Sequence, residues 1–297
     1  MTQEKILLKP DTLWTRVKQR TQTALQCGAL KSIPTEFELV AQDGINFLVR
    51  ILVNLDLKKA ATEVQEKQTR TTGKEFNPFL PYEEDLFVAD ISNTHLCILN
   101  KFNVVDHHLL IITRAFESQE DLLTLEDFAA MWTCLAADFR GLVFYNGGKL
   151  AGASQRHKHL QIIPLPLAEG IDIPIAPLFS QAKFQGAIAT IPGLPFLNAF
   201  TQLDPEENAE TILEKYQSLL KAVVIEPMNR DQSGAYNLLA TREWMLIVRR
   251  SQESFQSISV NSLGFAGALL VRNPEEMQIL KQIGPMNLLR NVGFPVY

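Results

Sequence analysis

The stretch GGKLAGASQRHKHLQIIPLP, residues 147 to 166, holds two of the five histidines in the chain, one residue apart, with a glutamine at the same spacing. If residues 157 to 163 are extended, the alternation of side chains along a strand puts His157, His159 and Gln161 on one face and Lys158, Leu160 and Ile162 on the other. Three polar groups then converge on one place. Imidazole has an ordinary pKa of about 6.5, so at pH 7 it is largely neutral and can attack phosphorus without a strong base beside it. The small residues of GGKLAGASQ let backbone N–H groups approach phosphate oxygens, and Ser154 and Gln155 add side-chain donors. A side-chain amide such as that of Gln161 can hydrogen-bond a phosphoryl oxygen but cannot deliver a proton, which suits a leaving group that departs as an anion, such as a nucleotide phosphate. Two other readings compete. A zinc site would need further ligands from His95, His107, His108, a cysteine or a carboxylate; a structural pair of histidines would need no ligand. The glycines do not make a Walker loop, because GGK is followed by Leu rather than Ser or Thr.

Such a face must be carried by strands and braced by helices. Residues 9 to 30 are expected to be helical, with Leu13, Trp14, Val17 and Leu25 as the apolar stripe and Gly28 as the stop, and FLVRILVNL (47–55) to be a strand. The polar segment 56–78 reads as a mobile connection and the natural place for a lid. THLCILN (94–100) and HHLLIITR (107–114) read as a hairpin-like pair, Thr124 and Asp127 as an acidic capping box opening a helix, and GLVFYN (141–146) as a buried strand. Prolines at 164, 166, 174, 177, 192 and 195 should send residues 164 to about 203 over the surface, and Asp204-Pro205-Glu206-Glu207 should open a helix reaching about Val224. YNLLA (236–240) and WMLIVRR (244–250) form another strand pair. Its likeness to 94–114 reads as a weak internal repeat of two packed α+β units. No histidine follows His159, so the imidazole chemistry belongs to the first unit alone.

Composition narrows the class. With 46% hydrophobic and 21% charged residues the chain is globular, and no apolar run approaches the roughly 18 residues of a spanning helix. The start, MTQEKILLKPDTLW, lacks the pattern of a secretory signal, and Cys27, Cys97 and Cys134 are odd in number and widely spaced, which together point to a cytoplasmic protein. A net charge of −5 weighs against nucleic-acid binding while leaving room for a local basic pocket.

The sequence resembles the ATP adenylyltransferases, also called diadenosine tetraphosphate phosphorylases, of the histidine-triad superfamily near the galactose-1-phosphate uridylyltransferases. The blocks that carry the resemblance are NPFLPYEEDLFV, LNKFNVVDHHLLIITR, YNGG, GASQRHKHLQIIPLP, YNLLATREWMLIVRR and NSLGFAGALLV. It implies an α+β fold of two histidine-triad-like units of antiparallel sheet with packed helices, divided as a catalytic unit 1–203 and a unit 204–297 that completes the nucleotide site. It implies a double displacement in which His159 attacks the α-phosphorus of diadenosine tetraphosphate and releases ATP, after which phosphate attacks the adenylyl-histidine and yields ADP. His157 and Gln161 would orient the nucleophile and bind the phosphoryl group. Asn146, Gly152, Ala153, Ser154 and Gln155 would hold nucleotide and phosphates, with Asn100 and Lys101 as a binding pair and Lys74 as an upstream phosphate-binding lysine. From the second unit would come Asn261, Ser262, Leu263, Ala268 and Arg272; the last two depart from the Met and Lys usual there, and Arg keeps the charge while gaining a fork. His108 stands where the superfamily often carries an upstream histidine. A divalent cation, Mg²⁺ by preference, would arrive with the substrate phosphates and without assigned protein ligands. The partners are thus the dinucleotide, ATP, ADP and phosphate, with neither nucleic acid nor membrane, acting on a monomer. A hydrolase or uridylyltransferase using the same histidine, and a non-catalytic dinucleotide sensor, are the alternatives.

Overall fold

HLCIL, LLIIT and YNLLA become strands that are buried at every position, the mark of strands covered on both faces. The computed structural model describes residues 5–9, 12–53, 77–136, 139–228, 231–232 and 234–296. Lys74 and the expected mobile connection up to residue 76 lie outside the described residues. In chain order the strands of the first half are β1 (Thr35–Gln42), β2 (Ile45–Leu52), β3 (Phe87–Asp90), β4 (His95–Leu99), β5 (Leu109–Thr113), β6 (Gly141–Gly147) and β7 (His159–Pro164). They are followed by β8 (Lys183–Gln185), β9 (Ile188–Thr190), β10 (Asn198–Gln202), β11 (Pro227–Met228), β12 (Asp231–Gln232), β13 (Tyr236–Ala240), β14 (Trp244–Arg249), β15 (Ser254–Phe255), β16 (Ile258–Ser259) and β17 (Ala268–Val271). The helices are α1 (Leu13–Cys27), α2 (Leu125–Leu135), α3 (Ala209–Ala222), α4 (Pro274–Ile283) and α5 (Pro285–Val292). None of them is long and apolar enough to cross a membrane among the described residues.

One antiparallel sheet of ten strands, in the order β3-β4-β5-β7-β6-β13-β14-β10-β9-β8, runs through the molecule. Helices α1, α2 and α3 cover one face over a core that includes Phe128, Tyr145, Tyr216 and Ile247. On the other face a smaller sheet, β1-β2-β17, and helices α4 and α5 enclose a second core around Phe47, Phe144, Phe196 and Phe265. The order 4-5-7-6 followed by 13-14-10-9 is a mirrored succession: β4-β5-α2-β6-β7 and β9-β10-α3-β13-β14 are two units meeting at the β6–β13 pair. The internal repeat is therefore real but displaced from its sequence reading. The partner of the β4–β5 hairpin is β9–β10, and β13–β14 answers β6–β7.

Local expectations fail where two signals compete. Helix α1 stops at Gly28 in the left-handed region (φ 77°), as expected, but its buried stripe is Leu13, Val17, Thr21 and Ala24, and Leu25 falls outside it, 50% exposed. Helix α3 begins after Asn208, whose side chain accepts the Thr211 N–H at 2.9 Å, while Asp204 closes a separate turn onto Glu206 N–H at 3.0 Å. Residues 164 to 203 do not wander over the surface. Ile175, Ile191, Leu194, Phe196 and Phe200 are buried in the second core, and β10 pairs with β14; prolines interrupt the strands without exposing their apolar residues to water.

Candidate active site

His159 opens β7 beside β5, with Ile112 as its cross-strand neighbour. Its Nδ1 lies 2.8 Å from the His157 carbonyl, and a carbonyl only accepts, so Nδ1 carries the proton and the lone pair sits on Nε2. Nε2 has no hydrogen-bond partner among the described residues. The buried side-chain atom left without a partner among them is Glu207 Oε2, so the unpaired Nε2 is open to an incoming ligand. Burial, reinforced by the neighbouring His157, pushes the His159 pKa down to about 4 against the opposing pull of the His157 carbonyl. The ring is neutral at pH 7. Phe79 packs edge-on against both motif histidines, with ring centroids 5.3 Å from His159 and 5.5 Å from His157, which fixes their shared face.

His157 is held differently. Its Nε2 lies 2.9 Å from the Thr113 carbonyl and 2.8 Å from the Thr113 hydroxyl, which itself donates to Ala115 O. That side is therefore protonated, and Nδ1 accepts from the Asn77 amide at 3.1 Å. Both ring nitrogens are engaged within the protein, and His157 acts on the nucleophile through its backbone carbonyl. Gln161 is pinned from the residue before β5: its Oε1 accepts from His108 Nε2 at 2.9 Å, and His108 Nδ1 accepts from Asn100 Nδ2 at 3.1 Å. Burial pushes the His108 pKa down to about 4, so this ring too is neutral. The pin leaves the Gln161 NH₂ without an acceptor among the described residues and available to a phosphoryl oxygen. Asn100 thus reaches the site through His108, whereas Lys101 pairs with Glu83 at 2.5 Å near the surface.

Lys158, pointing to the opposite face, is buried against Glu117 at 2.7 Å and Asp127 at 3.2 Å, and the other Asp127 oxygen meets His95 Nε2 at 3.0 Å. Burial pulls the lysine pKa down, but the two carboxylates outweigh it and hold it above the ordinary value. Asp127 is at the same time the N3 residue of the capping box with Thr124, so helix α2 and the back of the motif strand are joined by one carboxylate.

The loop from β6 to β7 turns at Gly148 and Gly152, both with positive φ. A Cβ on Gly152 would lie 2.8 Å from Val260 O and 3.0 Å from Asn261 Cα, so only glycine lets this loop touch the segment before β17. Ser154 is exposed and Ala153 and Gln155 are half-buried. The backbone N–H groups of Ser154 and Gln155 make no hydrogen bond among the described residues, which leaves two donors facing outward.

Asn146 is the hub between the two units. Its Oδ1 accepts from Asn237 Nδ2 at 3.0 Å and from the Ser262 N–H at 2.9 Å, with the Ser262 hydroxyl 2.7 Å away; its Nδ2 has no partner among the described residues. Asn237 also donates to Ala151 O at 2.9 Å, and its Oδ1 accepts from Arg250 Nη1 at 2.6 Å. Arg250 is 3% exposed and donates further to Val260 O at 2.8 Å, Val292 O at 3.1 Å and Gln252 O at 2.7 Å. Burial pushes its pKa down to about 10, partly countered by Glu253, so it remains a cation at neutral pH. Asn261 caps the 3-10 turn Ser262–Ala266 by accepting the Leu263 N–H at 3.0 Å. Leu263 and Ala268 are half-buried on either side of that turn's end. Arg272, at the far end of β17, is engaged by Glu276 (Nε to Oε1, 2.6 Å) and by Ser257 O at 3.0 Å, and the structure does not bring it to the imidazoles.

The structure places the motif imidazoles, Gln161, Asn146 and the glycine loop at and between β6 and β7; Gln119, Asn237 and Arg250, which bind to them, were not singled out from the sequence. Among the described residues no group of three or more His, Cys, Asp or Glu side chains is placed to hold a metal ion, so the imidazole pair lacks the further ligands that a zinc site needs.

With this geometry established, comparison with known proteins is informative. Residues 3–181 match the family model of the Ap4A phosphorylase N-terminal domain, and residues 192–295 that of the ATP adenylyltransferase C-terminal domain. Protein APA1 of Saccharomyces cerevisiae is 26% identical over 96% of this chain and 95% of its own. Diadenosine 5',5'''-P1,P4-tetraphosphate phosphorylase 2 of the same yeast is 29% identical over 74% of this chain and 76% of its own. The crystal structure of yeast Ap4A phosphorylase Apa2 in complex with Ap4A superposes with a TM-score of 0.79 at 24% identity, covering 97% of this chain and 99% of that one, which establishes a common fold.

Proposed function

The chain belongs to the Ap4A phosphorylase and ATP adenylyltransferase family, and from that membership we infer that it is a nucleotidyltransferase that phosphorolyses diadenosine tetraphosphate through an adenylyl-histidine. The observation that carries the reading is the His159 ring, with its proton fixed on Nδ1 by the His157 carbonyl and an open, unprotonated Nε2. In the first step the Nε2 lone pair forms a bond to the α-phosphorus while the bond from that phosphorus to the bridging oxygen breaks, and ATP leaves as an anion. No proton has to move, because Nε2 carries none. The positive charge that develops on the ring is stabilised by the Nδ1–H bond to the carbonyl. In the second step a phosphate oxygen attacks the same phosphorus, the P–N bond breaks and ADP leaves, restoring neutral His159.

The Gln161 NH₂, turned outward by His108, and the free N–H groups of Ser154 and Gln155 supply donors for the phosphoryl oxygens. Asn146 Nδ2 supplies another, and Ser262 brings the C-terminal segment to the same wall. A divalent cation bound with the substrate phosphates offsets their charge, since the described residues around His159 contribute few cations.

The test is to incubate the protein with diadenosine tetraphosphate with and without phosphate. ADP and ATP in equal amounts, only with phosphate present, together with an acid-labile adenylyl label on the wild type that His159→Ala abolishes, is the expected result. AMP plus ATP without phosphate would make it a hydrolase, and unchanged dinucleotide would make it a sensor.

A further inference from the structure

The β6–β7 ladder pairs Gly141 with Pro164, Leu142 with Ile163, Val143 with Ile162 and Phe144 with Gln161, and then stops. Continued by two more pairs in the same register, it would set Tyr145 opposite Leu160 and then Asn146 directly opposite His159. Instead a side chain from elsewhere stands between them. Gln119 Oε1 accepts the His159 N–H at 2.8 Å, and Gln119 Nε2 donates to Asn146 O at 3.0 Å and to His159 O at 3.3 Å. One carboxamide therefore occupies the place of the direct backbone bonds between the two strands, meeting the His159 N–H and the carbonyls of both residues. The strands are held apart by two hydrogen bonds in series where a closed ladder has one.

The insert is itself anchored. Gln119 is 2% exposed, its carbonyl accepts from the Tyr145 hydroxyl at 2.7 Å, and its N–H donates to Arg156 O at 2.8 Å. Lys158 N–H donates to Glu117 O at 2.8 Å and Ser118 bridges His157, so residues 117 to 119 act as a short strand beside the motif. Gln119 is buried away from solvent, and its side chain reaches the site through His159 and Asn146.

Resting on the adenylyl-transfer reading above, we propose that Gln119 is a positioning residue, a spacer that stops the β6–β7 ladder from zipping as far as the Asn146–His159 pair and so sets the gap between the His159 nucleophile and the Asn146 amide. Without it, the two strands satisfy their freed backbone groups by closing on each other, and the nucleophile moves relative to the groups that hold the phosphoryl oxygens. A displacement of about 1 Å at such a site costs on the order of 100-fold in rate.

Two substitutions of similar length test it. Gln119→Met removes every polar contact; Gln119→Glu keeps an acceptor for the His159 N–H but no donor for either carbonyl. In single-turnover adenylylation by diadenosine tetraphosphate, both should lose about 100-fold in rate while the KM for the dinucleotide stays within about 3-fold. Gln119→Glu should also move the acid limb of the rate profile to higher pH, because a carboxylate beside the ring favours imidazolium. The other titratable groups facing that ring are His157 on its own strand segment and His108 just before β5, with Lys158, Glu117, Asp127 and His95 behind the strand. A crystal structure of Gln119→Met should show a direct Asn146–His159 backbone bond. If the gap is unchanged, if both variants label at the wild-type rate, or if KM rises in step with the loss of rate, the spacer idea fails. A wild type that never carries the adenylyl label would instead overturn the functional reading, and the Gln119→Met structure would still decide the spacer.

Discussion

Asn146 and Asn237 are direct partners in the β6–β13 ladder, and the Nδ2 of the second donates to the Oδ1 of the first at 3.0 Å. Direct partners project to the same face, so the seam between the two units is sealed by a pair of amides on the side where the imidazoles lie. The direction of that bond matters. Because Asn237 and Ser262 fill the Asn146 oxygen, the Asn146 NH₂ is turned outward, and Arg250 in turn fixes Asn237 by occupying its oxygen.

Asn237→Leu should be costly for that reason. It removes the donor to Asn146, Ala151 and Ser262 and takes one acceptor from a buried guanidinium. The expected loss is about 3 kcal/mol in urea unfolding. A rise in KM for the dinucleotide should accompany it, since the Asn146 amide is then oriented by Ser262 alone. Unfolding at the wild-type urea midpoint would refute the hub.

The buried neutral histidines make stability depend on pH in a definite direction. His159 and His108 both have folded pKa values pushed down to about 4, against about 6.5 in the unfolded chain. Between those values the unfolded state binds more protons, so stability is full above about pH 6.5 and is lost as pH falls towards about 4, by roughly 3 kcal/mol for each ring as an order of magnitude. Urea midpoints measured from pH 7.5 to 4.5 should fall steadily, and His159→Asn should flatten the curve. Adenylylation rates should hold well below pH 6.5, where an ordinary imidazole would already be half protonated.

His108→Leu isolates the pin on Gln161. One hydrogen bond of about 1 kcal/mol then no longer selects the amide orientation, and kcat should fall by about 5- to 10-fold with little change in KM. Steady-state kinetics over a dinucleotide series checks it. If KM carries the whole effect, His108 serves binding and does not orient Gln161.

The sequence made some of this legible because the signals are local and periodic. The two-residue alternation placed His157 and His159 on one face, and both do pack against Phe79. The Thr124 and Asp127 pattern gave a real capping box. Gln119 carries no such mark: it is a lone glutamine in a connection, forty residues from the backbone it brackets, and only the termination of the β6–β7 register reveals it. Asp204 was the expected cap, but the helix opens at Asn208, whose side chain accepts the Thr211 N–H. β1 and the β8–β10 excursion escaped notice because exposed edge residues and prolines mask a strand when no pairing partner is in view.

The seam has a further consequence for how the polypeptide must be made. β6 lies against β13 in the large sheet, and β2 lies against β17 in the small one, so early and late parts of the chain are stitched together twice. Severed anywhere near residue 190, each fragment would present raw strand margins ready to pair with whatever is nearby. The cleft is therefore not inherited by either piece, and synthesis must pass Asn237 and Ser262 before the wall opposite the imidazoles exists.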